Sequence, residues 1–317
     1  MAKINIIGAG LSGLSCAVNL INKGYDDIHV FESSKNAGGR LKPFFIKEFD
    51  KEIYNPHLIS GCNHNAFKFL EIIKADKLKK VKFKTSSYNL YSLYKLFMES
   101  VLNEPYEIAD LKMGNKVLFK TLLSGFDFYL ANPYEFIDKS VNYIKNNGGK
   151  FNYNHTIKSI NEFDKKDINI IATDAFNLRK LLNLDFEIKE SPIINVHFKY
   201  DLGSDFIMLC PDFAFPCVIF YENGVISITI SACLKLIKYD DKNIINIMWK
   251  LIQKLFNIKT SSPLARIIKT KRATMKTNKK EIEIIKNQNI FICSDFLDMD
   301  LPSTIENSIS SGFNIKL

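Results

Sequence analysis

Three glycines near the start of the chain have the spacing of a phosphate-binding turn. They stand in the stretch GAGLSGL (8–14), in a G-x-G-x-x-G pattern behind the apolar run KINII (3–7). Such a turn lets the backbone approach a pyrophosphate, whose charge is attracted by free N–H groups at the start of the following helix. A tight turn in an ordinary hydrophobic domain is the alternative, because glycine spacing alone is weak evidence. The candidate cofactor-binding residues of this stretch are Gly8, Gly10, Leu11, Ser12 and Gly13.

The sequence around these glycines predicts a strand–helix–strand unit. Residues 3–7 have the pattern of a buried strand, residues 12–23 that of a helix, and residues 25–32 that of a second strand. The second strand ends at Glu32, 19 residues after Gly13. An acid at about this distance hydrogen-bonds the adenosine ribose in dinucleotide-binding folds. The unit therefore favours a bound dinucleotide, with Glu32 on its ribose.

A second pair of glycines follows the predicted ribose acid, in the stretch AGGR (37–40). At Gly39 the backbone could lie against a cofactor, and Arg40 could pair with its phosphates or polarise a ring edge. A Gly-Gly turn beside a surface arginine is the alternative. Because the stretch comes directly after a dinucleotide-binding unit, it favours FAD over NAD.

Sequence motifs at both ends of the chain resemble those of a known group of flavoproteins. GAGLSGL, FES (31–33) and AGGR resemble the N-terminus of the flavin amine oxidase and phytoene desaturase superfamily. The segment NIFICSDFLDMDLPSTIENSISSG (289–312) is similar to the C-terminal FAD segment of one family within it, the squalene-associated FAD-dependent desaturases or hydroxysqualene dehydroxylases. Further segments that resemble this family are 57–73, 103–110, 131–151 and 271–275. The chain is identified as a shortened member of that family.

The resemblance implies a fold and a division into domains. The fold class is α/β, with a Rossmann-like FAD-binding domain of the GR2 flavoprotein type and an inserted α+β substrate domain with a shortened lid. We expect the FAD-binding domain over 1–62, 149–185 and 263–317, and the substrate domain over 63–148 and 186–262. Within the segment 149–185 we predict two strands joined by a polar hairpin.

The resemblance also implies cofactor contacts near the end of the chain. Asp295, at the end of a strand, would accept a hydrogen bond from a ribityl hydroxyl of FAD. Pro302 would lie near the first turn of the last helix, where its missing N–H costs little. The free N–H groups around Thr304 and Ile305 would face the flavin and stabilise its anionic reduced form. An ordinary capped helix behind a loop aspartate is the alternative.

The function implied by the resemblance is FAD-dependent oxidoreduction of an isoprenoid lipid, most directly the dehydroxylation of hydroxysqualene to squalene. His57 is the candidate acid that would help the hydroxyl leave, and a neutral histidine beside the cofactor is the alternative. Two other functions stay open: desaturation of a carotenoid precursor, and a catalytically reduced accessory subunit of a squalene or phytoene synthase-like enzyme. The short lid around 75–97 and Ile53, which replaces an acid of the family, favour the accessory subunit. Ser294, in place of a glycine, is a further departure.

Charge and aromatic content raise the question of a membrane partner. The chain carries a formal net charge of +9, and its densest basic run is KADKLKKVKFK (74–84). That run could be a solvated face or a lipid-headgroup patch. The aromatic stretch SSYNLYSLYKLFMESVLN (86–103) could form a core-facing helix, a wall of an apolar tunnel or a membrane-contacting helix. We expect a cytoplasmic protein that could contact the inner face of a membrane.

Other classes of ligand have little support in the sequence. No RNA- or DNA-binding motif is present, so a nucleic-acid partner is not expected. The six cysteines are scattered without a CxxC pair, which indicates small buried thiols rather than metal ligands.

Overall fold

The structure is a computed structural model that describes residues 3–277, 289–297 and 302–317. In chain order, its strands are β1 (Ile4–Ile7), β2 (Ile28–Phe31), β3 (Phe44–Ile46), β4 (Lys51–Ile53), β5 (Leu58–Ser60), β6 (Phe83–Thr85), β7 (Phe128–Leu130), β8 (Lys150–Asn152), β9 (Ile168–Ile171), β10 (Ile188–Lys199), β11 (Phe206–Cys210), β12 (Cys217–Glu222), β13 (Val225–Ile230), β14 (Ala265–Thr277) and β15 (Ile290–Ile292). Its helices are α1 (Leu11–Asn22), α2 (His64–Ile72), α3 (Leu90–Leu102), α4 (Leu111–Leu123), α5 (Pro133–Asn146), α6 (Ala175–Leu181), α7 (Asp241–Phe256) and α8 (Ile305–Phe313).

The first sheet has five parallel strands in the order β15–β9–β1–β2–β8. Its central strands β1 and β9 both read INII, and they pair in parallel with Ile4 opposite Ile168. Parallel sheets are covered on both faces, so nearly continuous apolar strands are expected in them. The predicted unit of strand, helix and strand at the N-terminus is confirmed, with β1, α1 and β2 within one or two residues of the predicted bounds, except that β2 begins three residues later.

The predicted hairpin within residues 149–185 is wrong. Strands β8 and β9 do not pair with each other: β8 pairs with β2, and β9 pairs with β1. Short apolar strands with a polar connection suit a hairpin or a parallel pairing equally well, because the periodicity of the side chains is the same in both. The pairing therefore depends on the order of all five strands in the sheet. In that order the carboxyl end of β8 lies beside the carboxyl end of β2.

Helices α1, α2, α5 and α8 pack on one face of the first sheet and share its core. Ten of the twelve residues of α1 are buried, and the rings of Phe69 and Phe136 stack with centroids 6.3 Å apart. Helices α2 and α5 lie within 63–148, the segment that we assigned to the substrate domain. The domain boundaries stay a prediction, and the packing places these two helices with the first sheet.

The second sheet has six strands in the order β14–β10–β13–β12–β11–β6. Neighbouring strands are antiparallel except for β6 and β11, which are parallel. Helix α7 covers one face, where Trp249 packs against Phe198 with ring centroids 5.3 Å apart. The opposite face carries polar residues such as Asn195, His197 and Ser227. None of the helices in the described ranges has both the length and the apolar character that crossing a membrane requires.

Candidate functional site

A cavity of about 550 Å³ opens at the carboxyl ends of β1, β2, β9 and β15. Ligands of open parallel sheets bind at this edge, and the volume lies in the range of small-molecule sites. We call it the first cavity. The predicted site residues that line it are Gly8, Gly10, Leu11, Ser12, Glu32, Gly39, Arg40, His57, Asp295, Thr304 and Ile305. Gly13 lies in α1 against Gly8, and Pro302 is buried, so neither of them is part of the lining.

The glycine turn gives the first cavity an open stretch of backbone. Gly8 has a φ of +111°, and a Cβ there would lie 2.5 Å from the carbonyl oxygen of Ala172, so only glycine fits. Gly10 is the N-cap of α1, and a Cβ on it would meet no heavy atom of the described residues within 4 Å. A Cβ on Gly39 would lie 3.2 Å from the Cα of Gly10. A ligand can therefore approach the backbone where the positive end of α1 begins.

Glu32 is held in a fixed orientation on the wall of the first cavity. One carboxylate oxygen accepts a hydrogen bond from the N–H of Ala9 at 3.0 Å. The other accepts from the N–H and the hydroxyl of Ser34, both at 2.8 Å. The hydroxyl of Ser33 donates to this same oxygen at 3.3 Å, so the oxygen bonded to Ala9 is the one that keeps a lone pair for a hydroxyl of a ligand.

An ion pair joins the two ends of the chain across the first cavity. The guanidinium of Arg40 donates to the carboxylate of Asp295 at 2.7 Å and to the carbonyl oxygen of Ala273 at 2.6 Å. The Asp295 side chain is only 4% exposed, whereas that of Arg40 is 42% exposed. A buried carboxylate needs such a partner, because burial of an unpaired charge is costly. The sequence assigned both residues to a cofactor, and the structure shows in addition that they bind each other.

The last helix begins at the wall of the first cavity. Thr304 caps α8 by accepting a hydrogen bond from the N–H of Asn307 at 3.3 Å. The side-chain amide of Asn307 donates to the carbonyl oxygen of Asp295 at 2.7 Å. The hydroxyl of Ser303 donates to the carbonyl oxygen of Met275 at 3.0 Å. These contacts fix the start of α8 beside β15. Residues 298–301 of the predicted C-terminal motif lie outside the described residues.

Several residues of the first cavity were not predicted from the sequence. The segment 155–158 follows β8 and lines the cavity, and the N–H of His155 donates to the carbonyl oxygen of Glu32 at 2.9 Å. Arg272 also lines it, with its guanidinium 3.8 Å from the ring centre of Phe176. The segment 155–158 lines the cavity because β8 lies next to β2. The predicted hairpin paired β8 with β9 instead, so this segment was not identified from the sequence.

His57 lines the first cavity as a neutral side chain. Burial and the neighbouring positive charge of Arg40 lower the pKa of His57 from 6.5 to about 4. Both effects disfavour the charged imidazolium. A general acid works best when its pKa lies near the working pH, so this lowered pKa argues against His57 as a proton donor at neutral pH. The alternative role, a neutral histidine beside a cofactor, suits it better.

A second histidine, His197, is fully buried on the face of the second sheet that lies opposite α7. Its Nδ1 shares a hydrogen bond of 2.8 Å with the hydroxyl of Ser227, and its Nε2 has no hydrogen-bond partner among the described residues. Burial alone lowers the pKa of His197 to about 3. The native state therefore holds this imidazole neutral under conditions in which the unfolded chain protonates it.

His197 is expected to make the protein less stable as the pH falls. Below its ordinary pKa of 6.5 the unfolded chain takes up a proton that the native state refuses until about pH 3. The free energy of unfolding should drop by about 2 kcal/mol between pH 6.5 and pH 5 through this residue alone. Urea denaturation across that range measures the slope. His197→Asn should flatten it, while the exposed His64→Gln should leave it unchanged; equal slopes for wild type and His197→Asn would contradict the assignment.

A second cavity of about 440 Å³ lies between β4 and the second sheet. Its walls carry many charged groups, several of them engaged in hydrogen bonds. The hydroxyl of Tyr54 donates to Glu222 at 3.2 Å, and that of Tyr134 donates to Glu52 at 2.6 Å. Ile53, which replaces an acid of the resembled family, is buried among apolar residues next to this cavity.

Comparisons with known proteins agree with the fold. Residues 6–73 match the family model of NAD(P)-binding Rossmann-like domains. The chain is 24% identical to the hydroxysqualene dehydroxylase of Zymomonas mobilis, and the match covers 98% of this chain and 97% of that one. The chain therefore resembles this hydroxysqualene dehydroxylase along nearly its whole length. The predicted resemblance is thus confirmed.

Two further matches are less specific. The zeta-carotene desaturase of Capsicum annuum is 34% identical over 86 residues, which cover 27% of this chain and 14% of that one. A solved structure from Pyrococcus furiosus is 16% identical, with a TM-score of 0.71 and coverage of 98% and 97%. The predicted fold class, a Rossmann-like α/β flavoprotein fold, and the predicted enzyme class, an oxidoreductase, are confirmed.

Proposed function

We propose that the protein is an FAD-dependent oxidoreductase of isoprenoid lipids, and that it carries out the reductive dehydroxylation of hydroxysqualene to squalene. The observation that carries the proposal is the meeting of the N-terminal and C-terminal motifs in one cavity, where Arg40 and Asp295 lie 2.7 Å apart. The match to a hydroxysqualene dehydroxylase over 98% of the chain supports the substrate.

The residues of the first cavity fit FAD. The open backbone at Gly10 and the positive end of α1 suit a pyrophosphate, and the Glu32 oxygen bonded to Ala9 keeps one lone pair for a hydroxyl of the adenosine ribose. At the other end, Asp295 would accept a hydrogen bond from the ribityl chain while Arg40 keeps its charge balanced. The first turn of α8, capped by Thr304, would hold the pyrimidine edge of the flavin.

The proposed reaction needs a hydride, a leaving hydroxyl and a dry site. Hydride transfer is the chemistry that reduced FAD brings when bound. A C–O bond breaks, a C–H bond forms at the same carbon, and the hydroxyl leaves with a proton as water. The free N–H groups at the N-terminus of α8 would stabilise negative charge on the pyrimidine edge of the flavin. We do not assign the proton to His57, since a pKa of about 4 leaves it nearly uncharged at neutral pH.

Replacing His57 is therefore expected to have a modest effect. His57→Gln keeps a hydrogen-bonding side chain of similar size, so FAD content should stay unchanged and turnover should fall by less than about tenfold, which is below the roughly 100-fold minimum that a general acid typically contributes. FAD per chain and the single-turnover rate with reduced enzyme measure the two quantities. A rate loss on the order of 1000-fold with full FAD content would show that His57 is the acid after all.

A second candidate function is an accessory flavoprotein that assists a squalene or phytoene synthase-like enzyme. The specific observation in its favour is the charged lining of the second cavity, which includes Lys51, Glu52 and Glu222. A squalene-type hydrocarbon would leave these charges without water, which is costly. The short match to a zeta-carotene desaturase supports a third option, desaturation, in which hydride would flow in the opposite direction.

The absorption spectrum of the purified protein tests the proposed cofactor first. Flavin bands that bleach with dithionite, at one FAD per chain, are expected. Anaerobic incubation of the reduced protein with hydroxysqualene should then yield squalene and reoxidised flavin. A protein that cannot be loaded with FAD would overturn the proposal, whereas an FAD-loaded protein that turns over neither hydroxysqualene nor a carotenoid precursor would support the accessory function.

A further inference from the structure

We propose that helices α3 and α4 and the turn after α4 form a docking surface for an anionic lipid bilayer. The proposal does not depend on FAD or on the substrate. The large apolar side chains that make up this docking surface are Tyr88, Leu90, Tyr91, Ile108, Phe119, Leu122, Leu123 and Phe126.

Exposed apolar side chains are concentrated on this surface. Among the described residues, 14 large apolar side chains are exposed, and eight of them fall between residues 88 and 126. Leu90 is 81% exposed and Leu123 is 73% exposed. Single exposed apolar residues are normal on proteins, but a cluster of this kind marks a contact with a partner or a membrane.

Contacts between the elements bring these side chains to one region. The Tyr94 hydroxyl donates to the amide oxygen of Asn115 at 2.8 Å, and a Cβ on Gly114 would lie 2.3 Å from the Met98 sulfur, so α3 and α4 lie side by side. The ring of Phe128 contacts both Phe126 and Phe83, with centroids 5.3 Å apart in each case. The turn after α4 is thereby tied to β6, which leads into α3.

Helix α4 faces solvent with basic and apolar residues together. It carries Lys112, Lys116 and Lys120 and no acid. Residues 112, 116 and 120 share one side of a helix, and Phe119 and Leu123 lie on the same side because each follows one of these lysines, Lys116 or Lys120, by three residues. Its buried residues, Gly114 and Thr121, lie on the opposite side. The exposed face is therefore the amphiphilic one.

This combination selects the bilayer as the occupant. An apolar protein partner would have to bury Lys112 and Lys120, which is costly unless that partner brings acidic groups to pair with them. An anionic bilayer satisfies both components, since leucine and phenylalanine enter the acyl boundary while lysine stems reach the phosphates. The segment 74–126 adds to the attraction, because it contains ten lysines and five acids. Charge complementarity thus favours a negatively charged membrane surface.

Vesicle flotation tests the docking surface with the full chain. The protein should float with vesicles of phosphatidylcholine and phosphatidylglycerol, and less with phosphatidylcholine alone or in high salt. The variant Phe119→Gln/Leu123→Gln should bind the anionic vesicles at least about tenfold more weakly. Lys112→Gln/Lys120→Gln should weaken binding on the order of tenfold and reduce its salt dependence.

Matched controls exclude a general loss of structure. Leu264, 55% exposed on another part of the chain, is the control for Leu123, and Leu264→Gln should leave binding unchanged. Lys242 and Lys250 are exposed on α7, so Lys242→Gln/Lys250→Gln is the control for Lys112→Gln/Lys120→Gln and should leave binding unchanged. Wild-type protein that stays at the bottom of the gradient would overturn the proposal. So would a dimer in solution that Phe119→Gln/Leu123→Gln converts to a monomer, since a second copy would then cover the surface.

Discussion

Replacing Gly10 by valine is expected to weaken FAD binding strongly while the fold stays intact. Gly10 has φ −73° and ψ 177°, an extended conformation that valine adopts readily. A Cβ at this position meets no described heavy atom within 4 Å, so the protein itself leaves room for a side chain to begin here. It would instead fill the part of the first cavity where the pyrophosphate approaches the start of α1.

The loss of affinity should be large. Valine adds three carbon atoms where the backbone at Gly10 would touch the pyrophosphate. Overpacking of this kind costs about 3 kcal/mol, which corresponds to a roughly 100-fold weaker binding constant. Titration of the apoprotein with FAD, followed by flavin fluorescence, measures the change, and Gly10→Ala should give an intermediate value. Thermal unfolding of the apoprotein should be nearly the same for both variants and for the wild type.

The control for this experiment is Asn22→Val, at the exposed far end of the same helix. It introduces the same β-branched side chain into α1 and should leave FAD affinity unchanged. An unchanged FAD affinity in Gly10→Val would place the dinucleotide elsewhere and would remove the basis of the proposed function. A parallel loss of folding in Gly10→Val and in Asn22→Val would instead point to an effect of valine on α1.

The part of the site that the sequence predicted best is the part built from neighbouring residues. The glycine turn, α1 and the position of Glu32 follow from one continuous stretch of 30 residues, in which each residue type has a local physical reason. The ion pair of Arg40 and Asp295 joins residues 255 positions apart, and no local pattern reports such a contact.

The strand order of the first sheet could not be predicted from the sequence, and the remaining site residues depend on that order. Apolar periodicity identified β8 and β9 as strands, but it could not say whether they pair with each other or with β2 and β1. The residues at 155–158 line the first cavity only because β8 lies at the edge of the sheet beside β2. The lowered pKa of His57 likewise depends on burial and on Arg40, which come together only in the folded chain.

Gly312→Ala is expected to destabilise the protein strongly, although alanine favours helices. A Cβ on Gly312 would lie 2.6 Å from the backbone nitrogen of Cys16 and 2.7 Å from the carbonyl oxygen of Ser12. Both are backbone atoms of α1, which is itself buried against the first sheet and cannot shift freely. The gain of about 1 kcal/mol in helix propensity is then outweighed by overpacking, and the net loss should be at least about 3 kcal/mol.

Gly114→Ala is the matched comparison that isolates the cause. Gly114 also lies inside a helix, α4, so the gain in helix propensity is the same. Its nearest obstacle is the sulfur of Met98 at 2.3 Å, the end of a flexible side chain that can rotate away. Urea denaturation should therefore show Gly114→Ala within about 1 kcal/mol of the wild type, because repacking of flexible side chains is cheap.

The pair of glycine variants also tests how the C-terminal segment is held. Because α8 is a rigid helix of nine residues, a clash at Gly312 near its end should displace the whole helix from α1, and with it the hydrogen bond from Asn307 to the carbonyl oxygen of Asp295. FAD affinity should fall together with stability in Gly312→Ala and should stay unchanged in Gly114→Ala. Equal stability of the two variants would mean that α8 does not approach α1 this closely. The joining of both ends of the chain at the first cavity would then lose its structural support.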